Sequence, residues 1–391
     1  MKTPNRRRAQ AGFTLIELMV AAAVAAIAGA AITSGFIGLN RLFYTQEGIR
    51  AGQASLRQSI AQVTHQLRNA GYGIEAKYAI DYQPPVVPSS NPSWNKSERL
   101  IFRMRDPTFG RRVALNGVTP TSITLAQPLG TVLKQGQIIQ IVCPDAVRWT
   151  YATLAAQVDA TAVTLPLSAP GSAFPNLNAD LASTCYNGNG SGGAFVFKVE
   201  TYDYNIELID DGIKTDPKSS TAAAPLKPFL VRRHGLGGAN VIEPVADNIE
   251  VMHVVYLRKS TTTGLKTFTP DISQTAPTYD TPVLDNDHPA NAVAVRIGFV
   301  ARSGVQDQAT RAAGLDNVIP SFGLQANGTP YPEITNAPAG YHRVLYETTI
   351  PLRNLRSIGM FIPPFTRDAV GGASSSCAGT APSDGFNCFA G

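Results

Sequence analysis

From Phe13 to Leu39 the chain runs for 27 residues with a single charged side chain, Glu17. As a helix this run is about 40 Å long, at 1.5 Å per residue, and exceeds the roughly 30 Å hydrocarbon core of a bilayer. Such a segment belongs in lipid or against other apolar helices, so it sets apart the start of the chain from any compact body that follows. The lone acid is the puzzle within it. A carboxylate at bilayer depth costs roughly 2.5–3.5 kcal/mol on insertion scales, and Glu17 therefore needs a partner that offsets its burial.

Ahead of the run stand Lys2, Arg6, Arg7 and Arg8, with no acid among them. These four supply most of the formal charge of +5; from Phe13 onward 29 basic residues face 28 acidic ones. The body is thus close to neutral, and it has no Lys/Arg-rich run with interleaved aromatics, which speaks against nucleic-acid binding. A secretory signal would have an apolar core of about 7–15 residues ending in a small-residue cleavage site. Here the run is longer and cleavage is expected ahead of it, between Gly12 and Phe13. The basic leader, residues 1–12, is expected to stay cytoplasmic and to place everything beyond Leu39 outside.

The helix is expected to continue past the membrane, over residues 13–70. Leu42, Gln46, Ile49, Gln53, Leu56, Ile60, Val63, Leu67 and Ala70 recur at alternating steps of four and three, the seam of an amphipathic helix. No proline interrupts it, and Gly71-Tyr72-Gly73 supplies a stop. Gly29, Gly35 and Gly38 mark where it is weakest. After Gly73 the period changes to two. Residues 99–104, 136–142, 194–199, 248–256 and 292–299 read as strands rich in branched and aromatic residues, and Asp211-Gly212 behind Tyr204–Leu208 reads as a hairpin signal. The fold class is α+β: a long N-terminal helix on an antiparallel sheet forming the body, residues 71–391. Residues 106–193, poor in charge and rich in Thr, Pro and Gly, read as a small all-β insertion. Within it TSITLAQPLG and TAVTLPLSAP are loosely similar.

All four cysteines lie in the outside portion, where disulfides form. Four cysteines allow three connectivities. The nearest-neighbour pairing, Cys143–Cys185 and Cys377–Cys388, is the expected one, the second stapling a Gly/Ser/Ala-rich tail over residues 370–391. Four free buried thiols are the rival reading.

Catalytic chemistry leaves little trace. The five histidines, His65, His234, His253, His288 and His342, have no metal-ligand spacing. No G-x-S-x-G elbow and no P-loop is present. His253 reads as a satisfied sheet histidine. Asp285 and Asp287 are the one weak metal candidate, without the glycine or distal glutamate of an EF-hand, and a solvated loop is the preferred reading. No catalytic residue, cofactor or metal is assigned.

The stretch GFTLIELMV, with Gly12, Phe13 and Glu17 behind a basic leader, resembles the class III signal of type IV pilins and type II secretion pseudopilins. The resemblance implies that a prepilin peptidase cuts after Gly12 and methylates the Phe13 amine. It also implies an answer to the puzzle: in a stack of such subunits Glu17 pairs with the Phe13 amine of a neighbour, and its burial is offset only on assembly. Many major pilins carry a proline in the outer part of this helix; this chain does not. Later segments, FVFKVETYDYNI, PFLVRRHG, PVADNIEVMHVVYLR and above all YHRVLYETTIPLRN, resemble successive blocks of the PilW family of minor pilins. The implied function is that of a minor pilin aiding pilus assembly or initiation, with a location at the tip conceivable, held in the bacterial inner membrane and then carried into a surface pilus. Its implied partners are major and minor pilins, the prepilin peptidase, the inner membrane and the assembly machinery. A J-like pseudopilin of type II secretion is the alternative; a filament-borne adhesin and, last, a membrane-tethered enzyme follow.

Overall fold

The computed structural model describes residues 14–81, 97–143, 149–169, 186, 194–210, 226–234, 242–274, 285–307, 311–314 and 316–356. Its first element is one unbroken helix, α1 (Leu15–Leu67), of 53 residues and about 80 Å. Thr14 caps it with extended backbone, and the helix closes where the N–H of Arg68 reaches the Thr64 and Gln66 carbonyls. The chain then turns through Gly71, whose N–H donates to the Arg103 carbonyl at 2.9 Å, and Gly73. At Gly73 φ is +67° and a Cβ would stand 2.6 Å from Arg105 Nε, so both backbone and space demand glycine there.

The packed face of α1 keeps the later part of the expected seam, Leu56, Val63, Leu67 and Ala70, but not its start. Leu42, Gln46 and Gln53 are exposed, whereas Gly52, Ser55, Leu56, Ser59, Val63, Leu67 and Ala70 are buried. Contact with the body begins near Gly48, where a Cβ would lie 3.2 Å from Ser303 Cβ. The reason is close approach: small residues let the helix backbone come near the sheet, and their hydroxyls are satisfied on the way. Ser55 Oγ donates to Asp247 Oδ1 at 2.6 Å and Ser59 Oγ to the Ser55 carbonyl at 2.8 Å. Gln58 Nε2 donates to the Val245 carbonyl at 2.8 Å, and the Tyr204 hydroxyl reaches Gln66.

After a short helix α2 (Ala76–Ala79) come β1 (Ile80–Asp81), β2 (Leu100–Thr119), β3 (Ser122–Leu125), β4 (Ile138–Val142), β5 (Trp149–Thr153), β6 (Thr164–Pro166), β7 (Phe195–Asp210), β8 (Leu226–His234) and β9 (Ile242–Asp247). These nine form one antiparallel sheet with the central path β5-β4-β7-β2-β3-β6; β1 pairs with β2, and β8 joins β7 to β9. A second sheet takes β10 (Ile249–Ser260), β11 (Gly264–Phe268), β12 (Ala292–Arg302) and β13 (Arg343–Pro351) in the order β11-β10-β12-β13. The helix packs on β9, β12 and β13. The main core joins Leu56, Val63 and Leu67 of α1 to Phe102, Tyr204, Met252, Val254, Ile297 and Phe299.

Residues 106–193 are built on two long strands. In β2 and β7 the register from Leu100↔Tyr204 to Arg105↔Val199 lies over the main core, and from Gly110↔Phe197 to Arg112↔Phe195 the same strands continue into a second core around Phe109, Val113, Ile123, Ile141, Leu154 and Leu165. The two loosely similar segments pair with each other, Ile123 opposite Leu165. The described strands of this region, β3 to β6, extend the large sheet and do not form a separate one. Of the hairpin expectation, the strand pairing is present. Strands β7 and β8 pair antiparallel, with Ile206 opposite Leu230, yet the connection spans residues 211–225; Asp211 and Gly212 lie outside the described residues.

Candidate functional site

The candidate site is the free end of α1. Every side chain from Leu15 to Leu39 is exposed, Leu15, Ile16, Val24, Ile27, Ile32 and Phe36 prominently so, and the helix has the length and composition to cross a membrane. An apolar face of that extent is an unfinished surface in a soluble setting. Thr33 Oγ1 donates to the Gly29 carbonyl at 2.8 Å and Ser34 Oγ to the Ala31 carbonyl at 2.9 Å, so these hydroxyls are satisfied within the helix.

At its start Glu17 is not left alone. Its Oε2 accepts from the Thr14 N–H and from the Thr14 hydroxyl, each at 3.0 Å, while the Glu17 N–H donates to Thr14 Oγ1 at 3.4 Å. This is a capping box: each residue satisfies the other's backbone at the helix N-terminus. The T-x-x-E spacing of Thr14 and Glu17 carries that signal in the sequence, and a reading focused on the charge passes over it. The carboxylate is thereby held at the positive end of the helix dipole, and it is exposed. Gly12 and Phe13 lie outside the described residues.

Of the other expected sites, Cys143 is fully buried in the second core. Cys185, Cys377 and Cys388 lie outside the described residues, so neither pairing is tested. Tyr186, beside Cys185 in sequence, is buried in the same core as Cys143. Asp285 and Asp287 turn toward a cation of the chain's own: Arg258 lies 3.4 Å from Asp285 Oδ1 and 3.6 Å from Asp287 Oδ1. The bond from Thr261 Oγ1, at 2.7 Å, holds the Asp285 carboxyl below its usual range. No group of three metal-ligating side chains occurs among the described residues. His253 departs from expectation, because its Nδ1 is buried without a hydrogen-bond partner.

Two family profiles match the chain: the prokaryotic N-terminal methylation motif over residues 7–33, and the Type IV Pilus-assembly protein W over residues 213–354. The chain thus resembles type IV pilins at its N-terminus and the PilW family over its later body. The first match covers the end of the basic leader, Gly12, Phe13 and Glu17; the second covers β8 to β13, the part of the body that includes the helix-bearing sheet. Among solved structures, a type IV-like pilin from Thermus thermophilus is similar at 12% identity, covering 78% of this chain and 96% of its own, with a TM-score of 0.28. That likeness is too loose to carry an argument. No curated protein matches the chain. The two matches imply prepilin processing and pilus partners in general terms.

Proposed function

We propose that this PilW-type chain is a minor pilin that helps assemble or initiate a type IV pilus. Cleavage between Gly12 and Phe13 frees an amine that is then methylated. The subunit waits in the inner membrane as a single span, with its body outside the cytoplasm, and enters a filament when Glu17 pairs with the Phe13 amine of a neighbouring subunit. The observation that carries this reading is the division of α1: Gly48 to Ala70 is built into the body, while Leu15 to Leu39 is wholly exposed and carries one acid at its far end. Support comes from the methylation profile over the same residues.

The test is Glu17→Gln, expressed beside the wild-type chain. The variant is expected to accumulate in the inner membrane at normal levels and to fall at least tenfold in sheared pili, because an amide cannot form the ion pair. Equal incorporation of the two chains overturns the docking role. A second reading attaches to residues 106–193: a filament-borne binding module, favoured by the separate core around Phe109, Ile123 and Ile141. Within it the Cys143–Cys185 pairing is proposed, supported by the burial of Tyr186 beside Cys143.

A further inference from the structure

One face of the four-stranded sheet meets α1. The opposite face is closed by residues 319–337, which set Ile319, Phe322 and Ala337 against Val251 and Val300. Two carboxylates hold this closure. Glu98, on the segment leading into β2, accepts from the Tyr331 hydroxyl and from the Val254 N–H. Glu347 of β13 accepts from the Gly323 N–H at 2.6 Å while binding Arg296 of β12, whose Nε lies at 3.0 Å. Between them lies His253. Its ring stacks on Tyr331 with centroids 3.7 Å apart and planes 4° from parallel, and Phe322 stands 4.5 Å away. Its side chain is 2% exposed and its Nδ1 has no hydrogen-bond partner, with Glu98 Oε2 at 3.9 Å. A proton added at Nδ1 finds no acceptor within hydrogen-bond reach unless the covering segment moves.

We propose that residues 319–337 form an acid-sensitive strap, in which protonation of His253 releases Tyr331 and Phe322 and uncovers Val251 and Val300 on the face away from the helix. The inference stands apart from the pilin reading. Burial pulls the imidazole from its ordinary 6.5 down to about 3 while the strap is closed. The closed form therefore binds this proton more weakly than an open one, and closure is lost progressively as pH falls from 6.5 toward 3. Glu347 acts in the same direction: burial works against its charge, but the bonds from Gly323 and Arg296 hold its carboxyl below the usual range, so protonation removes support for closure. Glu98 opposes them, since burial pushes its carboxyl up despite the bonds from Tyr331 and Val254, and its protonation favours the closed form. His253, buried, stacked on Tyr331 and without a partner at Nδ1, sets the direction.

The test is amide hydrogen exchange of residues 319–337 in the full chain in detergent micelles, at pH 7 and pH 5, corrected for intrinsic exchange. Open and closed values of 6.5 and about 3 give a loss of protection of about 25-fold over that interval, reduced by the opposing carboxylate. The β2–β7 ladder is expected to keep its protection. In His253→Phe, which retains a stacking ring but cannot titrate, the strap's pH dependence is expected to vanish; in Glu98→Gln it is expected to steepen. Unchanged wild-type protection, an equal pH dependence in His253→Phe, or its disappearance in Glu98→Gln overturns the proposal. So does loss of protection across the β2–β7 ladder, which marks global unfolding.

Discussion

Leu67→Ala and Leu42→Ala form a pair that tests where the helix meets the body. Both leucines fall on the seam read from periodicity, but Leu67 is 0% exposed in the main core and Leu42 is 55% exposed. Replacing Leu67 removes the equivalent of three methylene groups from a wholly buried site, about 2.4 kcal/mol of transfer free energy. The cavity left beside Val63 and Phe102 adds to it, for a total loss of about 3 kcal/mol within the usual 2–5. Leu42→Ala should stay within about 0.5 kcal/mol, as surface substitutions do. The assay is urea unfolding of a chain beginning at residue 41, followed by circular dichroism, with the midpoint compared at constant slope. Equal losses in the two variants, or less than about 1 kcal/mol for Leu67→Ala, would refute the packing described for α1.

Replacing Gly12 with a bulky residue is expected to leave an uncleaved chain in the inner membrane; intact-mass measurement of the mature protein, showing Phe13 or another residue first, checks it. A chain beginning at residue 41 is expected to be soluble and cooperative, whereas one beginning at Gly73 exposes the face around Val254, Ile297 and Phe299 and should associate on a sizing column. Non-reducing peptide mapping is expected to recover Cys143 joined to Cys185. A bridge closing that loop is worth about 4 kcal/mol in the chain-entropy account, so reduction should lower the stability of the second core before that of the first. Cys143 found with Cys377 or Cys388 would reassign the bridge.

How much of this was legible depends on how local each signal is. The span of α1 follows from an uninterrupted apolar run, and the strands β4, β10 and β12 from branched residues in short blocks. The register of the helix against the body was legible only in part: Leu56, Val63, Leu67 and Ala70 follow the seam, but the contact is also made through Gly52, Ser55 and Ser59, which carry no hydrophobic signal and are selected by the nearness of Arg302 and Asp247, far away in sequence. The partnership of Thr14 with Glu17 is local and its spacing shows it. The environment of His253 is the opposite case. Alternation places it in a strand, but Glu98, Tyr331 and Glu347 reach it from three other segments, and nothing near residue 253 announces them. The extension of β2 and β7 into the insertion was hidden for a related reason: residues 106–112, FGRR included, have a mixed texture that reads as the end of one strand and not its middle.

The two long strands shared by both cores also set where a disturbance passing from one core to the other is checked. Their ladder runs from Leu100↔Tyr204 to Arg105↔Val199 over the main core and resumes from Gly110↔Phe197 to Arg112↔Phe195 over the second, with a break in register between Arg105 and Gly110. Fraying that begins in the second core therefore meets that break first, and the pairing beyond it is anchored by Phe102 and Tyr204 in the main core.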